Sequence, residues 1–482
     1  MRIRRSLMWM VAVIVLANLV AVGQNSPTQD PGTTTTQSTG DASTRPAPAA
    51  ALSGIAGVDG PSDEDREDLP QIPSILGGRG SSLAFSSEME RSNYIRGGIN
   101  FGAAYNDNAQ LTPTGEVGDT TYSVFPNIAV QQTTSRTSWS LGYGAGLSVN
   151  QRLSNSNQGS HTLTFDSEFR LTPHLNLRAA EHFSLIAGMF GANSGSGIDP
   201  GQGGGNGTLI TPLANQRTSQ TVVEMNYHYA LKDLVGASGS FYDLHYSDVT
   251  TGPGTLSNTR TAGGSAFWLH QIVRGNWAGL SYSFQRITFD PTGETLVHDF
   301  TVTDTFNISK TLSVSGFIGP EYSDNRGVAA TGPNTGQYTS FSGWSVAGGL
   351  DGSWQAKQTS VTAGFSRHVS DGGGIVGAVR LTNVHAAVRR ELRPGWSVTA
   401  RANYGDNQSL TLVSTTTAAL IKTTSVGASL ERNVGRSLGL QLGYFRDFQD
   451  QSGSADPTQI YTASRNRVFV TLSYQWAKAL GR

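Results

Sequence analysis

The residues best placed to act on another molecule are charged side chains that recur at every second position. Asp166, Glu168 and Arg170 lie at every second position of a segment in which Phe165, Phe169 and Leu171 occupy the other phase. In an extended strand this spacing puts the charges on one face and the apolar residues on the other. The same phase is predicted for five more residues: Arg178, Glu224, His228, Arg401 and Arg467. Two interpretations stay open, a lining that contacts passing solutes and a structural network of salt bridges.

No catalytic or metal-binding pattern accompanies these charges. The sequence lacks a Gly-x-Ser-x-Gly element, and the segment 405–409 (Gly-Asp-Asn-Gln-Ser) has no serine in the nucleophile position. The nine histidines show no metal-ligand spacing, and the chain has no cysteine. His228 and His245 are interpreted as isolated side chains on the charged face. We therefore predict that the chain is not an enzyme and uses no metal or cofactor.

The segments that carry the charges are predicted to be β-strands, because polar and apolar residues alternate in them with a period of two. The pattern begins near residue 94 and recurs to residue 476, for example in 139–149 and 468–476. Arg380 and Asp304 conflict with it, because each shares the phase of apolar neighbours, and a bulge could explain Arg380. The remaining alternation predicts strands whose two faces have different surroundings.

Composition indicates which surroundings these are. Charged residues make up 14% of the chain, against about 25% in typical soluble domains. Beyond the first 23 residues, no segment approaches the roughly 20 apolar residues of a membrane helix. Low charge without long apolar runs is typical of strands that have one face in lipid.

The connections between the predicted strands alternate in length. Eight short turns are predicted, near 133–135, 173, 232–233, 274–276, 309–310, 355–357, 393–394 and 434–436. Nine longer loops are predicted, near 106–119, 151–160, 189–216, 247–258, 290–294, 324–338, 370–375, 405–420 and 450–463. Outer-membrane barrels have short periplasmic turns and long external loops, so this alternation predicts 18 strands with both chain ends in the periplasm, although 311–323 and 421–433 alternate weakly. Loop 189–216 is a candidate to fold into the lumen.

Aromatic residues are predicted to form two girdles at the membrane interfaces. One set lies near the short turns or the barrel end and comprises Trp139, Trp277, Trp354, Trp396 and Trp476. The other set lies where strands meet long loops and comprises Tyr105, Tyr246, Tyr322 and Tyr404.

The beginning of the chain differs from the rest. Residues 1–23 join a basic start to an apolar stretch, which predicts a cleaved signal peptide rather than a signal-anchor helix. Residues 24–92 are rich in Thr, Ser, Pro and Gly and include an acidic run, which predicts a disordered periplasmic linker, with a tether to a periplasmic partner as the alternative. Residues 93–476 are then the transmembrane β-barrel, and 477–482 form a periplasmic tail.

The first predicted strand and loop, 94–108, resemble the opening of the β-barrel porin 2 family of large bacterial outer-membrane proteins. In that family a glycine-rich strand ends in Tyr-x-Asp/Asn-Asn, here Tyr105 to Asn108, and the next strand has a central proline, here Pro126. The resemblance implies an outer-membrane location and, for some members, a link to polysaccharide export. The segment 467–476 resembles the C-terminal strand that the barrel-assembly machinery recognises, although residues 477–482 follow its last aromatic residue.

We predict an all-β fold, a transmembrane antiparallel β-barrel of about 18 strands with a disordered N-terminal arm. Barrels of 16 to 18 strands leave an aqueous lumen, which predicts a porin-like channel for passive passage of small polar solutes. Polysaccharide export with a glycan as cargo and a non-conducting structural or adhesive barrel remain alternatives. The expected partners are outer-membrane lipid and the barrel-assembly machinery. Nucleic acid is not expected, because the formal net charge is −1, and the oligomeric state stays open.

Overall fold

The structure is a computed structural model that describes residues 93–109, 116–153, 158–187, 215–246, 258–273, 276–290, 293–309, 311–328, 338–372, 377–412, 418–435, 437–452 and 462–480. These residues form 18 β-strands, as predicted. The first nine strands are β1 (Tyr94–Asn106), β2 (Asp119–Thr133), β3 (Thr137–Asn150), β4 (Gln158–Thr172), β5 (Leu175–Ala187), β6 (Asn215–Ala230), β7 (Asp233–Tyr246), β8 (Asn258–Val273) and β9 (Asn276–Asp290). The other nine are β10 (Gly293–Asn307), β11 (Leu312–Val328), β12 (Tyr338–Gln355), β13 (Thr359–Ser370), β14 (Val379–Arg393), β15 (Trp396–Leu412), β16 (Ala418–Val434), β17 (Leu438–Ser452) and β18 (Thr462–Ala479).

The strands close into a barrel. Each strand pairs antiparallel with the next, and β18 pairs with β1, so that Tyr94 lies opposite Ala479 and Asn106 opposite Arg467. Closure gives every strand two neighbouring strands. The predicted antiparallel barrel is confirmed, and the weakly alternating segments are the strands β11 and β16. β18 continues three residues beyond the predicted barrel end at 476, through pairing of 477–479 with β1.

The end of the barrel that holds both described chain termini has short turns. The amide of Leu480 donates to the carbonyl of Asn93 over 2.8 Å at this end. In the turn between β14 and β15, Gly395 has a φ of +77°. A Cβ there would lie 2.8 Å from the carbonyl oxygen of Asn433, so this tight turn requires glycine.

Connections at the opposite end are longer, with one exception. β9 ends at Asp290 and β10 begins at Gly293, which lies opposite Phe289 in the register. The prediction of a longer loop near 290–294 is therefore wrong, because these two strands pair almost to their tips.

The outer face is apolar around the middle of the barrel. Trp268, Leu280, Val302 and Ile318 lie directly opposite one another on β8 to β11, and their exposed fractions are between 40% and 63%. Large exposed apolar side chains on one strand face form the lipid-contacting band of a membrane barrel. Among the described residues, no helix has the length and apolar character needed to cross a membrane.

An aromatic row lies on the outer face, four residues along the strands from this apolar row toward the long-loop end. Phe284, His298, Tyr322 and Trp344 lie opposite one another on β9 to β12. Neighbouring ring centroids are 5.0, 6.4 and 5.1 Å apart. Tyr322 was a predicted girdle residue, and this row is the girdle on that side of the barrel.

Two predicted girdle residues point inward instead. Trp277 is buried with Leu234, Phe267 and Leu269, and Tyr246 is also buried. Both occupy the strand phase opposite to the exposed apolar residues. The prediction is wrong for them because proximity to a strand end does not determine which face a side chain occupies.

Candidate functional site: the barrel lumen and its inner hairpin

One row of directly opposite residues follows the inner wall from β4 to β12. Residues opposite each other in an antiparallel pair share a face, and this row occupies the face opposite to the apolar band. Its members are Glu168, Arg178, Glu224, Ser238, Ser265, Ser283, Asp299, Glu321 and Ser345. The row is polar throughout and carries charges of both signs.

Arg178, a member of this row, lies among carboxylates. Its Nη2 lies 2.8 Å from Oδ2 of Asp166, which is buried, whereas Arg178 is partly exposed. Glu168 and Glu224 lie opposite Arg178 on the two neighbouring strands, and Glu224 also accepts from Asn226 over 2.7 Å. The inner wall therefore combines an ion pair with charged side chains that remain accessible from the lumen.

Two further predicted residues lie near the short-turn end. Arg170 is exposed and shares the inward phase of Glu168, and His228 lies opposite Leu234, half-buried on the inner face. His245 does not share this face. It lies opposite Arg217 on the outward phase of β7, while Leu234 and other apolar residues occupy the inward phase, so the interpretation of His245 as an inward residue is wrong.

A second charged group lies on β15 to β18. The guanidinium carbons of Arg401 and Arg467 are 5.8 and 5.4 Å from the ring centroid of Phe445. Asp447 and Arg465 form a buried ion pair next to them, and the rings of Phe445 and Phe469 stack at 5.9 Å. Cations within about 6 Å of an aromatic face are attracted to it, so this wall holds its arginines by packing as well as by charge.

The end of β13 separates from its neighbour β12 and remains paired with the start of β14. β13 pairs with β12 only as far as Arg367, which lies opposite Gly348. It continues to pair with β14 until Ser370 lies opposite Val379. The described residues of β12 beyond this point, 338–347, are in register with β11 alone. We call the segment that departs, residues 368–372 and 377–379, the inner hairpin.

The inner hairpin is attached to the inner wall at β11 and at β8. The amide of Val369 donates to Oε2 of Glu321 on β11 over 2.7 Å, and Thr259 on β8 donates to Oδ2 of Asp371 over 3.2 Å. Apolar residues of the hairpin region and of β9, β10 and β15 form one buried cluster, made of Ile287, Phe289, Val297, Val369, Ala378 and Leu410. The hairpin therefore crosses part of the lumen and narrows it.

Two adjacent carboxylates lie beneath the inner hairpin. Asp299 and Glu321 are directly opposite each other on β10 and β11, and both are buried. Ser283 donates to Asp299 over 2.9 Å, and Ser345 donates to Glu321 over 2.5 Å. Sequence reasoning missed both acids, because a single polar residue in an alternating strand does not reveal what covers it.

Arg380 was the signal that could have revealed the inner hairpin. It lies opposite Val369 and Gln408, and the register runs without a shift from Val379 to Glu391. No bulge separates Arg380 from the apolar positions that follow it, and its conflict with the alternation occurs where its partner Val369 has separated from β12. Loop 189–216, proposed to enter the lumen, lies almost wholly outside the described residues. Asp304, the other conflicting residue, is on the outer face opposite Gly316, close to the short-turn end.

No catalytic arrangement emerges from the described geometry. Segment 405–409 is part of β15 and pairs with β14. Within the described ranges, no group of three or more His, Asp or Glu side chains could hold a metal ion.

Comparison with known proteins finds similarity in overall structure alone. No family model and no curated protein sequence matches the chain, so the resemblance to the β-barrel porin 2 family stays a prediction. OccAB3 of Acinetobacter baumannii is 10% identical with a TM-score of 0.41, covering 80% of this chain and 99% of that one. The outer membrane protein OpdK of Pseudomonas aeruginosa is 9% identical with a TM-score of 0.41 and the same coverage. The ferric citrate transporter FecA is 9% identical with a TM-score of 0.44, covering 80% and 79%. By its own strand pairing and apolar outer band, this chain has the architecture of an outer-membrane β-barrel.

Proposed function

We propose that this protein is a channel of the bacterial outer membrane through which small polar solutes pass passively. The observation that carries the proposal is the polar inner row on a closed barrel of 18 strands, a circumference that leaves room for an aqueous lumen. The inner hairpin narrows that lumen and sets the size of solute that passes.

The lining of the pathway is proposed to include eight charged or titratable side chains: Asp166, Glu168, Arg170, Arg178, Glu224, His228, Arg401 and Arg467. Their charges are mixed in sign and lie on the inward phase. Mixed signs cancel much of the net field along a pore, so only modest preference between cations and anions is expected.

The topology follows from the same proposal. Short turns face the periplasm in outer-membrane barrels, so both chain ends are proposed to lie there. Residues 1–23 then direct export and are removed, residues 24–92 extend into the periplasm, and the barrel-assembly machinery inserts the barrel. Heat-modifiable migration on gels, recovery in the outer-membrane fraction and a mature N-terminus near Gln24 test this part, and recovery as a soluble periplasmic protein contradicts it.

Conductance in planar bilayers tests the channel. Protein verified as a folded barrel is added to one chamber, and heat-unfolded protein is the control. We expect stepwise ion conductance and, in liposomes, entry of small uncharged sugars with a size limit. If the folded protein does not conduct, the channel proposal is wrong and the second candidate, a non-conducting barrel, takes its place. That candidate is favoured by the inner hairpin and by the buried cluster around Trp277, which both occupy part of the interior.

A further inference from the structure

Charged residues form a continuous belt on the outer face toward the long-loop end. Arg260, Thr288, Glu294 and Arg326 lie directly opposite one another on β8, β9, β10 and β11. Neighbouring outward positions on β6 to β11 add further charges. We call the charged residues of this surface the arginine belt: Arg217, Asp243, Arg260, Arg286, Glu294, Asp324 and Arg326.

Carboxylates hold the arginines of the belt in place. Asp243 lies between Arg217 and Arg260, at 3.2 and 3.0 Å. Glu294 lies between Arg286 and Arg326, at 2.7 and 3.6 Å. Asp324 contacts Arg326 at 2.8 Å.

The two kinds of charge differ in exposure. The carboxylate side chains of the belt are 16% to 24% exposed, whereas the arginine side chains are 41% to 58% exposed. The less exposed acids therefore orient the guanidinium groups on the outer face. The more exposed arginines present positive charge to the surroundings of the barrel. Exposed ion pairs contribute only about 0–1 kcal/mol each to folding, so stabilisation alone is a weak reason for the belt.

The aromatic row fixes the depth of the belt in the membrane. Arg286 is two residues and Arg326 four residues beyond the row that contains Phe284 and Tyr322. At about 3.3 Å per residue these separations are roughly 7 and 13 Å along the strands. Aromatic girdles sit at the boundary between hydrocarbon and headgroups, so the belt lies at the level of lipid headgroups.

We infer that the arginine belt binds the phosphate groups of a phosphorylated lipid in the surrounding leaflet, of the diphosphorylated glycolipid class. Guanidinium groups form bidentate, charge-assisted hydrogen bonds with phosphate. Arg260 and Arg326 are three strand spacings apart, about 14 Å along the row, so one belt can engage more than one phosphate. The inference rests on the proposed outer-membrane location and on the long loops facing outward.

Lipid binding by the full-length, detergent-purified protein tests the inference. Binding of diphosphorylated lipid A and of phosphatidylcholine is measured by native mass spectrometry and by the shift in unfolding temperature. The belt variant is R260Q/R286Q/R326Q. The charge-matched control is R367Q/K422Q/R446Q, which removes three exposed outward cations on β13, β16 and β17. Heat-modifiable migration verifies that each variant is folded.

We expect the belt variant to bind lipid A about tenfold more weakly, the equivalent of one lost charge-assisted hydrogen bond. The control should stay within about twofold of the unchanged protein. R260K/R286K/R326K should be intermediate, because lysine keeps the charge and loses the bidentate geometry. Equal affinity in the belt variant, an equal loss in the control, or equally tight binding of phosphatidylcholine overturns the inference.

Two further measurements separate the source of the phosphate and the role of the channel. Inorganic phosphate should leave lipid A bound, and its displacement of the lipid would show a site for the free anion and overturn the inference. Conductance of the belt variant in phosphatidylcholine bilayers should equal that of the unchanged protein. If the protein binds lipid A and does not conduct, only the channel proposal is contradicted. If the protein conducts and its belt variant keeps its affinity for lipid A, only the lipid site is contradicted.

Discussion

The amide of Val369 donates a 2.7 Å hydrogen bond to Glu321, although strand β12 separates the two residues in the barrel wall. This contact is possible because the inner hairpin bends away from β12 and crosses the inside of the wall. A hydrogen bond to a charged acceptor contributes about 1.5–3 kcal/mol. Glu321 is therefore the principal polar attachment of the constriction on β11.

Glu321→Ala should loosen the inner hairpin. The loss of about 1.5 kcal/mol raises the detached population roughly tenfold, so we expect larger conductance steps and noisier open-channel current in planar bilayers. Glu431→Ala is the matched control, because Glu431 is an inward glutamate on β16 that contacts Arg389 rather than the hairpin. Identical recordings from the two variants would show that the hairpin does not limit conduction.

Neutralising the side chains of Asp166 and Glu168 should shift the ion selectivity of the channel toward anions. In the Asp166→Asn and Glu168→Gln double variant, Arg178 keeps its charge and loses its ion-pair partner. A unit charge about 8 Å from the ion path changes the energy of a monovalent ion by about 0.5 kcal/mol in water, with opposite signs for cations and anions, so each removed charge changes the permeability ratio about fivefold before screening by salt. Reversal potentials in a salt gradient measure this change. The Asp243→Asn and Asp324→Asn variant removes two carboxylates from the outer face and should leave the ratio unchanged.

Phe445→Ala should destabilise the barrel strongly. The ring is buried, stacks on Phe469 and lies between Arg401 and Arg467. Truncation of a buried phenylalanine costs about 3–5 kcal/mol, which denaturant unfolding in lipid vesicles measures. Phe445→Leu preserves most of the volume and should cost less than about 1.5 kcal/mol. Similar losses in the two variants would argue against packing as the role of this ring.

Asp447→Asn should also reduce stability. It leaves Arg465 buried beside Arg467 without the carboxylate that pairs with it, and breaking one side of a buried pair costs about 3–5 kcal/mol. Asp447→Leu combined with Arg465→Met removes the pair together and should recover a large part of the loss. The same unfolding assay measures both, and a double variant less stable than Asp447→Asn would contradict a simple ion-pair explanation.

The barrel could be predicted from the sequence because its main signal is local. Alternation in 139–149 and 468–476 reports on two faces of a strand, and the alternating connection lengths report on the strand order. The alternation of polar and apolar residues does not show which part of the chain packs against a given face of a strand. Val369 continues the outward phase of Phe365, yet its partners are Ile287 and Phe289 on the inner wall.

The candidate site was predictable only in part for the same reason. The phase of Glu168, Arg178 and Glu224 could be read from their apolar neighbours on each strand. The surroundings of Glu321 depend on a hairpin from β13 and β14, and no local pattern encodes such a contact. Arg380 carried a sign of it, because it is a charged residue whose phase placed it in lipid where β14 leaves the inner hairpin.

The pairing of β1 with β18 also has a consequence for the order in which the strands pair during folding. Asn466 donates from its backbone and side-chain nitrogens to Asp107 at one end of this seam, at 2.7 and 2.6 Å, while Leu480 is bonded to Asn93 at the other end. These partners are separated by nearly the whole barrel sequence, so we expect the seam to form after the other strands have paired. Until then both strands present open edges that can pair with another chain. The unclosed sheet therefore needs protection from aggregation until β1 pairs with β18. That pairing converts an aggregation-prone intermediate with two open edges into a closed barrel.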